Sequence, residues 1–410
     1  MVAFVCKKYG ENMNKNEMKK YRKGLSRLKF FFFVGRFNLT LPIKHLLNFR
    51  GEKIKIKEEP FLLFANHVEN LDPFYEFICF NTYIRNVISD HLARNKVVRC
   101  VLEFFVAPIV NNREKSTDIL YNEIVNNIKA GVNVAVHIEG GKNTNGETAY
   151  ISKRNAVLAK ECGCPLITYR LSGGYVKTPR WAIKSRKGPT FGKVANIYSK
   201  EQIKNMSVDE LYECILKDLY VNVYDEQRKE PHKYKGEKPA ECAETTLYGC
   251  PKCQKIGTLK SCDDKISCNC GFSAKIDEYG FWHGKDLPFD NIVDWDKFQK
   301  NLIKKLTDEK KGTAELLFSD EKQTVSYLEN DKIVVRSTDA KLELFGNCIA
   351  ITDNEKTVVP IEKIKKICYI SRMNLLIVTE DHYYEIKSPY PRSATKYIVA
   401  VRYLKGKENK

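Results

Sequence analysis

Apolar residues recur along this chain at two periods, and the change from one to the other divides it. Over residues 19–50 the period is helical. Tyr21, Leu25, Leu28 and Phe32 fall on one stripe, with Lys19, Lys20, Arg22, Lys23, Arg27 and Lys29 crowded around it. From residue 58 short apolar runs alternate with helical stretches. The run 60–65 stops at Asn66-His67. Ser116 is placed to cap a helix carrying Leu120, Ile124 and Ile128, ended by Gly131. Val132, Val134, Val136 and Ile138 take alternate positions of a strand that runs into Glu139-Gly140-Gly141. A helix over 151–161 closes at Gly163, and 165–171 is again a strand. Strand, loop, helix, strand is a βαβ unit, so the predicted fold class is α/β with a mostly parallel sheet. Ser207 and Glu210 form a capping box ahead of Leu211, Ile215, Leu216 and Leu219.

The pattern changes again after residue 225. Residues 226–247 lack periodicity and contain Pro231, Gly236 and Pro239, as a linker does. A cysteine-dense segment follows over 248–285. The tail, 286–410, predicts a helix near 295–306. Short β-rich runs come next, at 314–318, 324–328, 333–335, 342–344, 349–352 and 375–378, and then a last amphipathic helix over 393–404. Strands closed by a helix are the pattern of a PH-like domain. The expected division is a basic amphipathic segment (1–57), an α/β domain (58–225), a linker (226–247), a cysteine module (248–285), and a helix with a β-rich PH-like domain (286–410).

Charge changes the picture at the N-terminus. The chain carries +18, and residues 1–57 hold 15 Lys/Arg against 3 Asp/Glu. Positive charge beside Phe and Leu suits an anionic membrane surface, where apolar burial and electrostatic attraction add together; nucleic acid is the other anionic partner it suits. No run reaches the ~18 apolar residues needed to span a bilayer. Nothing at the N-terminus has the pattern of a secretory signal. The expectation is therefore a cytoplasmic protein, peripheral on the inner face of the membrane.

In such a chain clustered cysteines point to metal rather than to disulfides. Six of the 14 lie within 242–270. Cys250-Pro251-Lys252-Cys253 and Cys268-Asn269-Cys270-Gly271 pair as the two knuckles of a zinc ribbon, four thiolates for one structural zinc, with Cys262 as a spare.

The chemistry-bearing motif is Asn66-His67-Val68-Glu69-Asn70-Leu71-Asp72. A histidine of near-neutral pKa can take a proton from a hydroxyl, and a carboxylate on its other nitrogen fixes the tautomer and steadies the imidazolium. Positions five apart do not share a helix face, so one of the pair must sit in a turn. Asp72 followed by Pro73 reads as a helix cap with proline at the first helical position. Taken alone, that cap accounts for Asp72 without any catalysis. The context argues further, because His67 and Glu139 each lie just past the end of a strand, where open α/β sheets bind ligands. Between them Arg113 offers a planar fork that suits phosphate.

Here the chain resembles the glycerolipid acyltransferase family, of the lysophosphatidic acid acyltransferase type. That family has four ordered blocks. N-H-x4-D is matched by Asn66, His67 and Asp72. G-x-I/F-F/V-x-x-R is matched by residues 107–113, with Ala107 in place of Gly. F-P-E-G-T-R-S stands here as His137-Ile138-Glu139-Gly140-Gly141-Lys142-Asn143, where Glu and Gly survive and Lys142 keeps a positive charge. An apolar V-P-I strand is matched by Cys164-Pro165-Leu166-Ile167. The resemblance implies that His67 deprotonates the hydroxyl of a lysophospholipid, oriented by Asp72. The alkoxide then attacks the thioester of acyl-CoA or acyl carrier protein. Asn66, Arg113, Glu139, Gly140 and Lys142 would form the substrate-binding set. Two other classes compete: a nucleic-acid-binding protein using the ribbon and basic arm, and a non-catalytic lipid-binding protein on the same fold. Against the first, the basic segment is far from the ribbon in sequence and no RNP-like aromatic pattern is present.

Overall fold

The computed structural model describes residues 15–90, 96–111, 116–329 and 332–407. They form two compact units, the first reaching to Lys177 and resuming over Gly188–Glu230, the second made of Thr178–Lys187 and everything from Pro231 onward.

The first unit opens with two helices where one was predicted: α1 (Lys15–Arg22) and α2 (Leu25–Leu46). Gly24 separates them in the left-handed region, φ 74°, which costs glycine little and other residues more. The elements then run β1 (Phe49–Gly51), β2 (Leu62–Ala65), α3 (Asp72–Cys79), β3 (Arg85–Ser89), α4 (Lys96–Phe105), β4 (Ile109–Asn111), α5 (Thr117–Lys129) and β5 (Val134–His137). They continue with α6 (Arg154–Cys162), β6 (Leu166–Ser172), α7 (Gly174–Lys177), β7 (Thr190–Tyr198), α8 (Lys200–Asn205), α9 (Val208–Leu219) and α10 (Val223–Lys229). The sheet order is β1-β7-β6-β2-β5-β3-β4. Every neighbouring pair is parallel except β6–β7, so the sheet is mostly parallel as predicted.

Strand β2 lies at the centre and is buried throughout, as a parallel strand covered on both faces must be. Leu62 and Phe64 join a core with Ile124 and Ile128 of α5, Leu158 of α6 and Leu211 and Ile215 of α9. Leu63 and Ala65 face the other way, with Tyr75 and Ile78 of α3. The predicted caps are present. Ser116 accepts from Asp118 N, Gly163 ends α6 in the left-handed region, and Ser207 and Glu210 make both bonds of the capping box.

The stripe read on the N-terminal helices is core. Leu28 and Phe32 are buried, and Tyr21 donates to Glu123 of α5 at 3.2 Å. Arg36, which ends the apolar run, donates to the carbonyls of Phe77, Ile78 and Phe80, closing the C-terminus of α3 where carbonyls lack helical partners. Other apolar side chains of α2 stay exposed, among them Phe37 at 89% and Leu41 at 77%. Among the described residues no helix is long and apolar enough to cross a membrane.

The residues read as a linker begin inside α10, and the rest fold with the second unit. Tyr234, Ala240 and Ala243 are buried there, and Trp181 donates through Nε1 to Pro239 O at 2.8 Å. An antiparallel sheet, in order β11-β10-β9-β8, is built from β8 (Leu259–Cys262), β9 (Lys265–Cys268), β10 (Ser273–Ile276) and β11 (Trp282–His283). Helix α11 (Ile292–Lys310) packs beside it. Trp295 donates to Gly249 O at 2.9 Å, and its ring lies 5.7 Å from that of Trp282.

The tail is one seven-stranded antiparallel sheet, β15-β14-β13-β12-β18-β17-β16, closed by α12 (Thr395–Leu404). Its strands are β12 (Leu316–Glu329), β13 (Lys332–Phe345), β14 (Cys348–Thr352), β15 (Lys356–Pro360), β16 (Lys366–Ser371), β17 (Asn374–Val378) and β18 (Tyr383–Lys387). The runs predicted at 314–318 and 324–328 are one strand, β12. Its register against β13 shifts between Asp320 and Val325, and such an irregularity interrupts the alternation that sequence reading follows.

Candidate active site

Parallel pairing brings the motif together. Ala65 of β2 stands opposite His137 of β5, so the chain leaves both strands at the same sheet edge. His67 comes two residues after one strand end and Glu139 two residues after the other. Asn66, wholly buried, fixes the first exit. Its amide donates to Leu171 O at 2.8 Å and its oxygen accepts from Leu171 N at 2.7 Å, clamping β2 to β6. Glu139 fixes the second: Oε1 accepts from His67 N and Oε2 from Ala149 N, each at 2.6 Å. Asn143 N donates to His67 O at 3.0 Å. Two carboxylate or amide groups read as substrate contacts thus hold backbone around the histidine.

Asp72 is the first residue of α3, with Leu71 in the cap position that sequence reading gave to Asp72. Its carboxylate turns back instead. Oδ2 lies 2.7 Å from His67 Nδ1 and accepts from Val68 N at 2.9 Å, while Oδ1 accepts from Glu69 N at 3.1 Å. This turn is what the five-residue spacing requires. Asp72 is inaccessible to solvent, whereas the His67 side chain is 22% exposed. With its proton on Nδ1, held by Asp72, the imidazole keeps the Nε2 lone pair for a hydroxyl. A negative charge at the start of α3 is also favoured by the helix dipole.

Gly140 is exposed in the left-handed region, φ 69°, at the bend that follows Glu139. Lys142 is half-buried in the same loop. Arg113 lies outside the described residues.

Four groups outside the predicted site set also stand here, of which only Lys177 was read from the sequence as part of a polar loop that could reach the site, with a plain turn as the alternative. Glu69 is buried, accepts from the hydroxyls of Tyr75 and Thr190, and has its carboxyl pKa raised by burial. Lys177, also buried, donates to Leu47 O at 2.6 Å, and burial lowers its pKa. His137 ends β5 with its Nε2 3.4 Å from Glu76 Oε1 and 3.9 Å from Asp72 Oδ2, its ring 4.7 Å from that of His67. Burial, then the neighbouring His67, pushes the His137 imidazole down to about 3. Burial, then Asp72 one turn earlier on α3, pushes Glu76 up to about 8, against a smaller pull from Asn86. The helical spacing of Asp72 and Glu76, i and i+4, was a signal available in the sequence.

Residues 46–172, from the end of α2 to the end of β6, match the family model described as Acyltransferase. That matched segment lies wholly within the first unit. The match contains His67, Asp72, Glu139 and Lys142 and ends before the second unit begins. Among solved structures, the chain is similar to the 1-acyl-sn-glycerophosphate (LPA) acyltransferase PlsC from Thermotoga maritima. The two are 16% identical over 56% of this chain and 88% of that one, with a TM-score of 0.39. It is also similar to the N-terminal PH domain of Vps36, 10% identical over 22% of this chain and 80% of that one, TM-score 0.20. A third likeness is to the N-terminal PH domain of human ARAP2, 14% identical over 22% and 79%, TM-score 0.18. No curated protein matches the chain.

In the second unit Cys250, Cys253, Cys268 and Cys270 converge, their sulfurs all within 4.8 Å of one another. Cys250 and Cys270 are 3.6 Å apart and Cys253 and Cys268 3.8 Å, with all four thiols free. Four thiolates around a tetrahedral ion with ~2.3 Å bonds stand about 3.8 Å apart, so the set fits zinc.

Proposed function

We propose that this chain transfers a fatty acyl group from acyl-CoA or acyl carrier protein to the free hydroxyl of a lysophospholipid. The observation that carries the reading is the His67–Asp72 pair. It has a 2.7 Å bond on Nδ1, a buried carboxylate and a partly exposed imidazole, and it sits inside the segment that matches the Acyltransferase family. His67 Nε2 takes the proton of the acceptor hydroxyl as that oxygen attacks the thioester carbonyl. The tetrahedral intermediate collapses, the C–S bond breaks, and the imidazolium returns its proton to the thiolate. Asp72 steadies the imidazolium. The thioester is already activated, so no covalent enzyme intermediate is required. Lys142, and Arg113 by the motif resemblance, supply positive charge for the acceptor's phosphate.

The acceptor's acyl chain places it in a membrane, so the site must come to a lipid surface. The exposed Phe30, Phe33, Phe37 and Leu41 of α2, beside the basic residues of the same segment, suit an anionic, inner-face surface. Val97, Val101, Phe104 and Phe105 of α4 extend that apolar surface, Phe104 and Phe105 packing on Phe31 at 5.4 and 5.1 Å. The four converged cysteines hold a structural zinc.

Purified protein given labelled acyl-CoA and a panel of lysophospholipids should acylate lysophosphatidate. His67→Ala should lower that rate by ~10²–10⁴-fold with the fold retained. Near-normal turnover by a well-folded His67→Ala protein rejects the mechanism.

A further inference from the structure

The first unit holds a second set of metal-ligating groups, made of the catalytic pair and two side chains behind it. Asp72 and Glu76 present two carboxylates from one face of α3, and His67 and His137 present two imidazoles from the ends of adjacent strands. His67 Nδ1, Asp72 Oδ2 and His137 Nε2 lie within 4.8 Å of one another. Glu76 Oε1 is 3.4 Å from His137 Nε2.

Glu76 is the observation that asks for a ligand. It is 1% exposed, and although the Asn86 side chain is near enough to favour its charged form, neither carboxylate oxygen meets a partner at hydrogen-bonding geometry, nor does His137 Nε2. A carboxyl group and an imidazole nitrogen taken out of water without partners are costly, and here the two orphaned groups face each other. Two imidazole nitrogens and two carboxylate oxygens are the donor set of a zinc-class divalent ion. Ligand atoms around a tetrahedral ion with ~2.1 Å bonds are about 3.4 Å apart. His137–Glu76 stands at that separation, His137–Asp72 is wider at 3.9 Å, and His67–Asp72 is closer at 2.7 Å because a proton occupies the gap. The 22% exposure of His67 gives an entry path.

We propose that His67, Asp72, His137 and Glu76 form a divalent-cation site of the zinc class, and that occupancy switches off the catalytic base. A cation on Nδ1 takes the lone pair there, so the single proton of the neutral His67 imidazole moves from Nδ1 to Nε2 by exchange through solvent. Nε2 is the nitrogen that must be unprotonated to accept from a hydroxyl. The switch rests on the acyl-transfer reading, whereas the binding site does not.

The experiment counts zinc and measures inhibition in the full chain. Wild type, His137→Phe and Glu76→Gln, each checked for an unchanged melting profile, are dialysed against zinc and analysed for metal. Wild type should hold one zinc per chain more than either variant, whatever the cysteine cluster contributes to all three. Equal zinc in all three folded proteins overturns the site. If one variant fails to fold, the other decides. Zinc added to enzyme pre-treated with chelator should inhibit acyl transfer, and each variant should need at least about tenfold more zinc, as loss of one ligand of four implies. Extra zinc in wild type with no inhibition of an active enzyme overturns the switch. A wild type that binds the extra zinc but never transfers acyl groups supports the site while rejecting the acyl-transfer reading.

Discussion

Replacing Asp72 with Asn keeps its volume and removes its charge, and the surroundings show what that costs. The carboxylate meets three donors: His67 Nδ1 at 2.7 Å and Val68 N at 2.9 Å on Oδ2, and Glu69 N at 3.1 Å on Oδ1. An amide has one acceptor oxygen. If that oxygen faces His67 and Val68, the NH2 group is set against the Glu69 N–H. A buried donor left unmet costs ~1–3 kcal/mol. If the amide flips, NH2 faces His67 Nδ1 and drives the imidazole proton to Nε2, which disables the base. In both arrangements the imidazolium formed during transfer loses its counter-charge. We therefore expect kcat to fall by ~10²–10⁴-fold in Asp72→Asn, with KM for lysophosphatidate little changed because Asp72 does not reach solvent. Release of the CoA thiol follows the rate, and thermal melting follows the fold. A folded Asp72→Asn protein with kcat within about threefold of wild type refutes the assignment of His67 as base.

Three further outcomes test other parts of the molecule. Protein purified under reducing conditions should retain zinc at the four-cysteine cluster, and Cys250→Ser should lose one equivalent by metal analysis; an unchanged content rejects the ribbon. Gly346→Ala should destabilise the second unit by ~1–3 kcal/mol or more in chemical unfolding, because a Cβ there would lie 1.7 Å from Lys310 O, a backbone atom that cannot swing away; an unmoved midpoint refutes this. The double variant Phe37→Glu, Leu41→Glu should weaken flotation with anionic liposomes at high salt, where screening leaves the apolar contribution dominant; equal flotation means membrane contact lies elsewhere.

Local signals in the sequence were legible where one residue type has one backbone use. Ser116, Gly163, Ser207 and Glu210 each end or start a helix where the spacing predicted it. The parallel sheet followed from the order of apolar runs. Three kinds of feature were not legible. Strands β3, β4 and β7 have no clean alternation, since pairing with neighbours rather than periodicity defines them. The shift in β12 splits one strand into two apparent runs. At the site, His137 stood in a motif position read for Glu139 and Gly140, and Glu76 looked like an ordinary polar residue of an amphipathic helix. Only the register of β2 against β5 shows that His137 faces the back of Asp72.

That register also changes what the motif residues mean. Asn66 and Glu139 were assigned to substrate by position, yet each spends its polar atoms on main chain. Asn66 locks β2 to β6 through Leu171, and Glu139 bonds the backbone N–H of His67 itself. Asp72 does the same for Val68 and Glu69 while holding the ring. The turn between β2 and α3 is therefore fixed from three sides before any substrate arrives. A base must stand within hydrogen-bond reach of the proton it takes, and a loose loop would have to be ordered at each turnover at a cost of ~1–2 kcal/mol per residue. The N-H-x4-D spacing, on this argument, is first a device for holding five residues of backbone still. Its catalytic competence follows from the one ring that this rigid turn leaves facing solvent.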